Sequence, residues 1–192
     1  LARVPTGLQG PASPGREWVH EFAGEATAIS LAGNSAFVLV QRKGYDVQRS
    51  QLVQYDVQQP TQPRERARHL LQGTAQAILA QSPQRCWALR QLGGTYPPNS
   101  NDFLTLFDFQ ESGRVRRVGS LNSPEKGLLG SSLARVGEHQ LRVQSTSGKA
   151  FLCSWNPPEK PSWLGPTEAS TAPARGPELN ATGLRVSPQA DW

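Results

Sequence analysis

The chain has 192 residues, of which 36% are apolar, with 18 glycines, 16 prolines and a formal net charge of +5. No apolar run approaches the ~20 residues of a membrane-spanning helix, so the sequence predicts a soluble protein with no membrane span. Few apolar residues and many turn-forming ones predict short strands joined by turns rather than long helices.

The two ends of the chain differ from its middle. Both ends are rich in Pro or Gly and poor in apolar residues, so they cannot bury enough surface to offset the entropy of ordering. We therefore expect a flexible segment over residues 1–15, a folded part over 16–156 and a Pro-rich flexible tail over 157–192. A start at Leu1 without any Met predicts a processed or excised piece. That leaves the compartment open and slightly favours a secreted or extracytoplasmic protein.

The middle repeats one plan three times. A Gly opens a short strand that ends in Leu-Ala, a polar turn follows, and a second strand ends in Gln. The three pairs of strands are predicted at 24–32 and 37–41, at 73–80 and 86–91, and at 127–134 and 140–144.

A third strand follows in each repeat, and a fourth follows it in the first two. The third reads Leu-x-x-aromatic-Asp/Asn and is predicted at 52–56, 104–108 and 152–156. A polar outer strand follows at 64–71 and 114–121. Residues 16–22 look like the same outer element, belonging to a unit that precedes Gly24, and the tail could add a strand at 183–187.

Four short strands per unit, with an aromatic-Asp pair at Tyr55-Asp56 and Phe107-Asp108, resemble the blades of the β-propeller superfamily, WD40-like or lipoprotein-type. The resemblance implies an all-β fold of three four-stranded antiparallel repeats around a channel. Because propellers usually have about four to eight blades, it also implies a larger ring, of which this chain is a part or which two copies complete as six blades. The alternative fold is a β-sandwich.

Three details of packing follow from the strand pattern. The continuous apolar run 36–40 predicts an inner strand buried on both faces. Alternation in the outer strand predicts that Arg64, Arg66 and Arg68 share one face, with Ala67 on the other. Gly113 and Gly148 stand in tight hairpins where a positive φ is expected.

No catalytic or metal signature emerges, so we expect no enzyme, no cofactor and no metal. His20, His69 and His139 lack the spacing of ligands and are interpreted as surface residues. Cys86 and Cys153 lie in apolar strands and are interpreted as buried free thiols. Two acids at matching positions, Asp56 and Asp108, either bond backbone amides of the following turn or are carboxylates lining the channel.

Two surfaces are candidates for binding a partner. The arginines of one outer strand (Arg64, Arg66, Arg68) recur on the next as Arg114, Arg116 and Arg117, which predicts a basic band. Alternatively, these charges only prevent edge-to-edge aggregation. Tyr45 and Tyr96 lie in loops between second and third strands, which share one face of a propeller.

These features favour a non-enzymatic β-propeller scaffold for protein-protein interaction or complex assembly, with a protein partner or its own copies completing the ring. One alternative is a subdomain of a propeller enzyme with a metal or quinone site. A weaker one is nucleic-acid binding through the arginine-rich outer strands.

Overall fold

The structure is a computed structural model that describes residues 24–42, 49–59, 62–71, 73–91, 103–125, 128–155 and 160–167. The predictions for residues 1–15 and 16–22, for Tyr45 and Tyr96, and for a strand at 183–187 lie outside these ranges. No helix long and apolar enough to cross a membrane occurs among the described residues.

Every regular element in the described ranges is a β-strand, and the order follows the predicted repeat. The strands are β1 (Glu25–Ala32), β2 (Ser35–Arg42), β3 (Arg49–Asp56), β4 (Arg64–Leu70), β5 (Thr74–Ser82), β6 (Arg85–Gln91), β7 (Leu104–Phe109), β8 (Val115–Leu121), β9 (Gly130–Gly137), β10 (Gln140–Ser145), β11 (Ala150–Ser154) and β12 (Ser162–Thr167).

Four consecutive strands form each of three sheets, which we call the first (β1–β4), second (β5–β8) and third (β9–β12) sheets. All ladders are antiparallel between neighbours in the chain. The predicted all-β fold with three four-stranded antiparallel repeats is therefore confirmed.

The fourth strand of the third sheet is β12, which pairs with β11. It lies within residues 157–192, so the folded part of the chain reaches at least Thr167, and no strand from elsewhere is needed to complete this sheet. Trp163 anchors it: its indole N–H donates to the Asn122 carbonyl at 2.9 Å, and its ring lies 6.2 Å from that of Phe151. Pro166 made β12 difficult to predict from the sequence, because proline within a sheet is confined mainly to edge strands.

The pairing corrects the predicted alignment of the third repeat. Tyr55 pairs with the second residue of β2, Phe107 with the second residue of β6, and Cys153 with the second residue of β10. The counterpart of Tyr55 is therefore Cys153, and Trp155 lies two residues further along. A two-residue shift keeps a side chain on the same face of a strand, so the aromatic pattern fitted the wrong register equally well.

Each outer strand carries a β-bulge at the same place. Arg66 in β4, Val118 in β8 and Leu164 in β12 are the unpaired residues. A bulge reverses the alternation of a strand. The prediction that Arg64, Arg66 and Arg68 share a face is therefore wrong: Arg64 pairs with Asp56, on the side of Ala67, and Arg68 lies on the other side.

The sheets pack face to face in chain order. Phe37, Leu39 and Leu52 of the first sheet meet the second sheet in one apolar cluster. Trp87 and Leu89 of the second sheet meet the third in another. We call the side of a sheet that faces the next sheet its leading face and the opposite side its trailing face. The run Ala36–Val40 is at most 3% exposed, which confirms its burial on both faces.

The first strand of each sheet is the innermost, and β5 packs against both β1 and β9. Two serines connect the first sheet to the second: Ser30 Oγ accepts from the Ala80 N–H at 2.8 Å, and Ser50 Oγ from the Ala75 N–H at 2.9 Å. Gly113 and Gly148, which lie in turns, have φ values of 78° and 85°, so the predicted positive φ is confirmed. Each sheet thus runs from an inner strand to an outer edge.

Candidate functional site

The described arginines of the predicted basic band lie on two neighbouring outer strands. Arg64, Arg66 and Arg68 are exposed on β4, Arg114 directly precedes β8, and Arg116 and Arg117 are exposed within it. The strands are close, because a methyl group at Gly113 would lie 3.5 Å from the Arg66 carbonyl oxygen. We call these six arginines the rim band.

Acidic neighbours neutralise part of the rim band. Arg66 forms an ion pair with Asp56, and Arg68 donates to both carboxylate oxygens of Glu65 at 3.0 and 2.7 Å. Arg64 and Arg114 form no ion pair with a described residue. Both residues are exposed, so their guanidinium groups are accessible to a ligand.

The two matched acids lie away from the inner strands. Asp56 ends β3, where its carboxylate accepts from the Gln58 N–H at 2.9 Å; this backbone bond, followed by the Arg66 hydrogen bond, holds the pKa of Asp56 below its usual value. Asp108, on β7, accepts from Arg85 Nε at 3.3 Å and lies 3.7 Å from Arg116. The backbone-amide interpretation is confirmed for Asp56. Asp108 is instead held by arginines, and neither residue is on an innermost strand.

The described histidines differ in environment. His69 was expected at the surface, but it is half-buried, with its ring 4.9 Å from that of Phe107 on the second sheet. Burial lowers its pKa. His139 is exposed in the turn after β9. No group of three or more His, Cys, Asp or Glu side chains suited to a metal occurs among the described residues.

Both cysteines are buried and unpaired, as predicted. Cys86 faces the first sheet and Cys153 the second, in different clusters. Burial raises the pKa of Cys86, and it raises that of Cys153 to about 12. Neither thiol forms a reactive thiolate at neutral pH.

A cavity of about 500 Å³ lies where the innermost strands of all three sheets converge. Its walls come from the ends of β1 and β5 and from β9. The lining residues are Ser30, Leu31, Ala32, Gly33, Leu79, Ala80, Gln81, Leu133, Ala134 and Arg135. The sequence did not predict this cavity, because it arises from contacts between residues about fifty positions apart.

Arg135 connects the third sheet to the second at this cavity. Its Nη2 donates to the Ala80 carbonyl at 3.0 Å and to the Gln81 carbonyl at 2.9 Å. The pairing places Arg135 at the position of Leu31 in β1 and Ala80 in β5. The arginine therefore acts as an inter-sheet contact at a site that is apolar in the other two sheets.

Comparisons with known proteins assign no family to this arrangement. No protein-family model matches the chain, and no curated protein matches it.

Proposed function

We propose that this chain is a non-enzymatic β-propeller-type scaffold that binds a protein partner through the rim band. Propeller blades are four-stranded sheets whose inner strands surround an axis. The chain-order topology and the convergence of β1, β5 and β9 on one cavity support this arrangement.

The rim band is the observation that carries the proposal. Five exposed arginines lie on the adjacent strands β4 and β8, and Arg114 directly precedes β8, in a body held by two large apolar clusters. Arginines fixed on strands keep their spacing, so they can recognise carboxylates at a matching spacing on a partner. An acidic protein segment is the ligand class that this surface fits.

A peptide selection tests the proposal. Peptides selected from a random display library on the full chain should be acidic, and their affinity is measured by fluorescence anisotropy. Replacing Arg64 and Arg114 by Glu should weaken binding by at least about tenfold, because it reverses the charge of two exposed arginines that form no ion pair with a described residue. The matched control replaces Arg142 and Lys160 by Glu, with the same change in net charge, and should stay within about twofold. Equal losses in both variants would refute a role for the rim band.

Nucleic-acid binding through the same arginines is the second candidate. Phosphate binding weakens steeply with salt because counterions are released. Nucleic-acid binding would be favoured if labelled single-stranded DNA bound more tightly than the selected peptides. Its affinity should also fall with added salt and in the Arg64→Glu/Arg114→Glu variant.

A propeller enzyme with a metal or quinone site is the third candidate. The ion pairs of Asp56 and Asp108 with arginines speak against these acids as metal ligands. Elemental analysis of the purified chain separates the cases, since stoichiometric metal would count against the scaffold.

A further inference from the structure

His69 lies in the interface between the first and second sheets. It is half-buried on β4, where it pairs with Leu52 of the leading face, and its ring lies 4.9 Å from the Phe107 ring of the second sheet. Ala67 and Leu71, on either side of it in the chain, are 6% and 2% exposed and lie in the same apolar cluster as Phe107. The imidazole therefore belongs to an otherwise apolar contact between two sheets.

This position suits the neutral form of the imidazole. Neither ring nitrogen of His69 forms a hydrogen bond or an ion pair with a described residue. Protonation would make both nitrogens donors and would place a charge in a half-buried apolar contact. Burial accordingly holds the pKa of His69 below its ordinary value of 6.5.

The charged side chains on the facing side of the second sheet are arginines. Arg117 of β8 pairs with Phe107 and therefore shares its face. Arg90 of β6 pairs with Ala75, which lies in the same cluster as Phe107. The Cys86 thiol also lies on this face, and burial raises its pKa, so it stays neutral. A protonated imidazole would therefore meet positive charge on the second sheet.

One acid shares the face of His69 on the first sheet. Asp56 lies at the opposite end of β4, where it pairs with Arg64 in the ladder and its carboxylate forms an ion pair with Arg66. Among the described residues, no carboxylate of the first sheet lies beside His69 on this face. Nothing in the described interface thus compensates the charge of an imidazolium.

We propose that His69 makes the contact between the first and second sheets sensitive to pH: the neutral ring packs on Phe107, and protonation opens the outer half of the interface. The contribution of His69 is complete above pH 6.5 and is lost as the pH falls through its lower folded pKa. Cys86 pairs with Phe107 on the neighbouring strand, so opening at His69 uncovers this thiol from the outer side. The inference is independent of the proposed function.

Thiol labelling of the full chain tests the proposal, because each of its two cysteines reports on one interface. Cys86 faces the first sheet, and Cys153, between the second and third sheets, is the internal control. A pyridyl disulfide that reacts with thiols in mild acid is added at about pH 7.5 and at about pH 5, and mass spectrometry of peptides gives the rate at each cysteine. The ratio of the Cys86 rate to the Cys153 rate should rise several-fold at the lower pH. An unchanged or lower ratio overturns the proposal, because the imidazolium would then be held on the Phe107 ring.

Substitutions at position 69 identify the titrating group. His69→Leu and His69→Gln carry no charge at either pH, so the ratio should stay constant in both. The Gln variant keeps the test decisive if the Leu variant does not fold, and circular dichroism checks each fold. His139→Leu, which removes an exposed histidine outside this interface, should keep the wild-type rise. A wild-type rise in the position-69 variants would assign the effect to another group and refute the proposal.

Discussion

One register position on the third strand of each sheet is filled by a polar residue in one sheet and by apolar residues in the other two. Val53, Thr105 and Phe151 occupy the same register position on β3, β7 and β11. Thr105 is 2% exposed, and its hydroxyl has no hydrogen-bond partner among the residues that the structure describes. The polar residue therefore lies in a site that the other two sheets fill with apolar side chains.

Replacing Thr105 by Val should stabilise the protein by about 1 kcal/mol, because an isosteric methyl group replaces a buried hydroxyl that makes no bond. Urea denaturation followed by circular dichroism measures the change. Thr105→Ser, which keeps the hydroxyl and loses the methyl group, should be less stable than the wild type. A Val variant no more stable than wild type would show that the hydroxyl is bonded in solution.

The decrease in the stability of the protein at acidic pH should depend on Asp56. Its pKa is depressed by the Gln58 N–H and by Arg66, so its contribution is present above the ordinary pKa of the carboxyl group and disappears as pH falls through the lower folded value. Asp56→Asn should therefore lower Tm at pH 7, and the difference should shrink as the pH drops below 3.8. Glu111→Gln, a charge loss at an exposed turn, is the control. A difference that is constant with pH would contradict this assignment.

At the scale of elements, the distance between neighbouring sheets determines whether a strand position can accept a larger side chain. Gly130 opens β9 where a methyl group would lie 2.6–2.8 Å from three atoms of Leu89, a residue with 0% exposure. Gly137 closes the same strand, and a methyl group there would be 3.8 Å from its nearest neighbour. The two glycines differ in packing while sharing one element.

Gly130→Ala should destabilise the protein by about 1–3 kcal/mol, because the added methyl group overpacks the contact between the second and third sheets. Gly137→Ala, the matched control, should change stability by less than about 0.5 kcal/mol. Thermal or urea unfolding compares the two. Equal effects would mean that the sheets separate enough to accept the methyl group at Gly130.

At the scale of the whole molecule, the leading face of the third sheet and the trailing face of the first sheet differ in character. The leading faces of the first two sheets carry Phe37 and Trp87 at one position and Leu39 and Leu89 at another. In the third sheet, the register puts Arg142 and Gln144 at these positions. The trailing face of the first sheet is apolar, so the two ends do not complement each other as the interior faces do.

We therefore expect a monomer of 20.9 kDa by light scattering on a sizing column, rather than a six-bladed ring of two copies. Arg142→Trp/Gln144→Leu restores the interior residues and should promote self-association, because it creates an exposed apolar face. Arg142→Lys/Gln144→Asn should remain monomeric. A wild-type dimer would instead favour the ring closed by two copies.

The sequence by itself determined the strands and turns of the described repeats. Local patterns carry this information: apolar runs such as 36–40 mark inner strands, and Gly113 and Gly148 mark hairpins, because turn geometry and the two-residue period of a strand act over a few residues. Such patterns predicted β1–β11, whereas β12 lies within residues 157–192, which were expected to form a flexible tail.

Only the tertiary structure decided the register, the bulges and the contacts between sheets. A shift of two residues leaves every side chain on its face, so the pattern could not distinguish Cys153 from Trp155 as the counterpart of Tyr55. The bulge at Arg66, the Arg135 contact and the cavity at β1, β5 and β9 depend on residues far apart in the chain. Their positions are set by packing between sheets, which a local pattern does not encode.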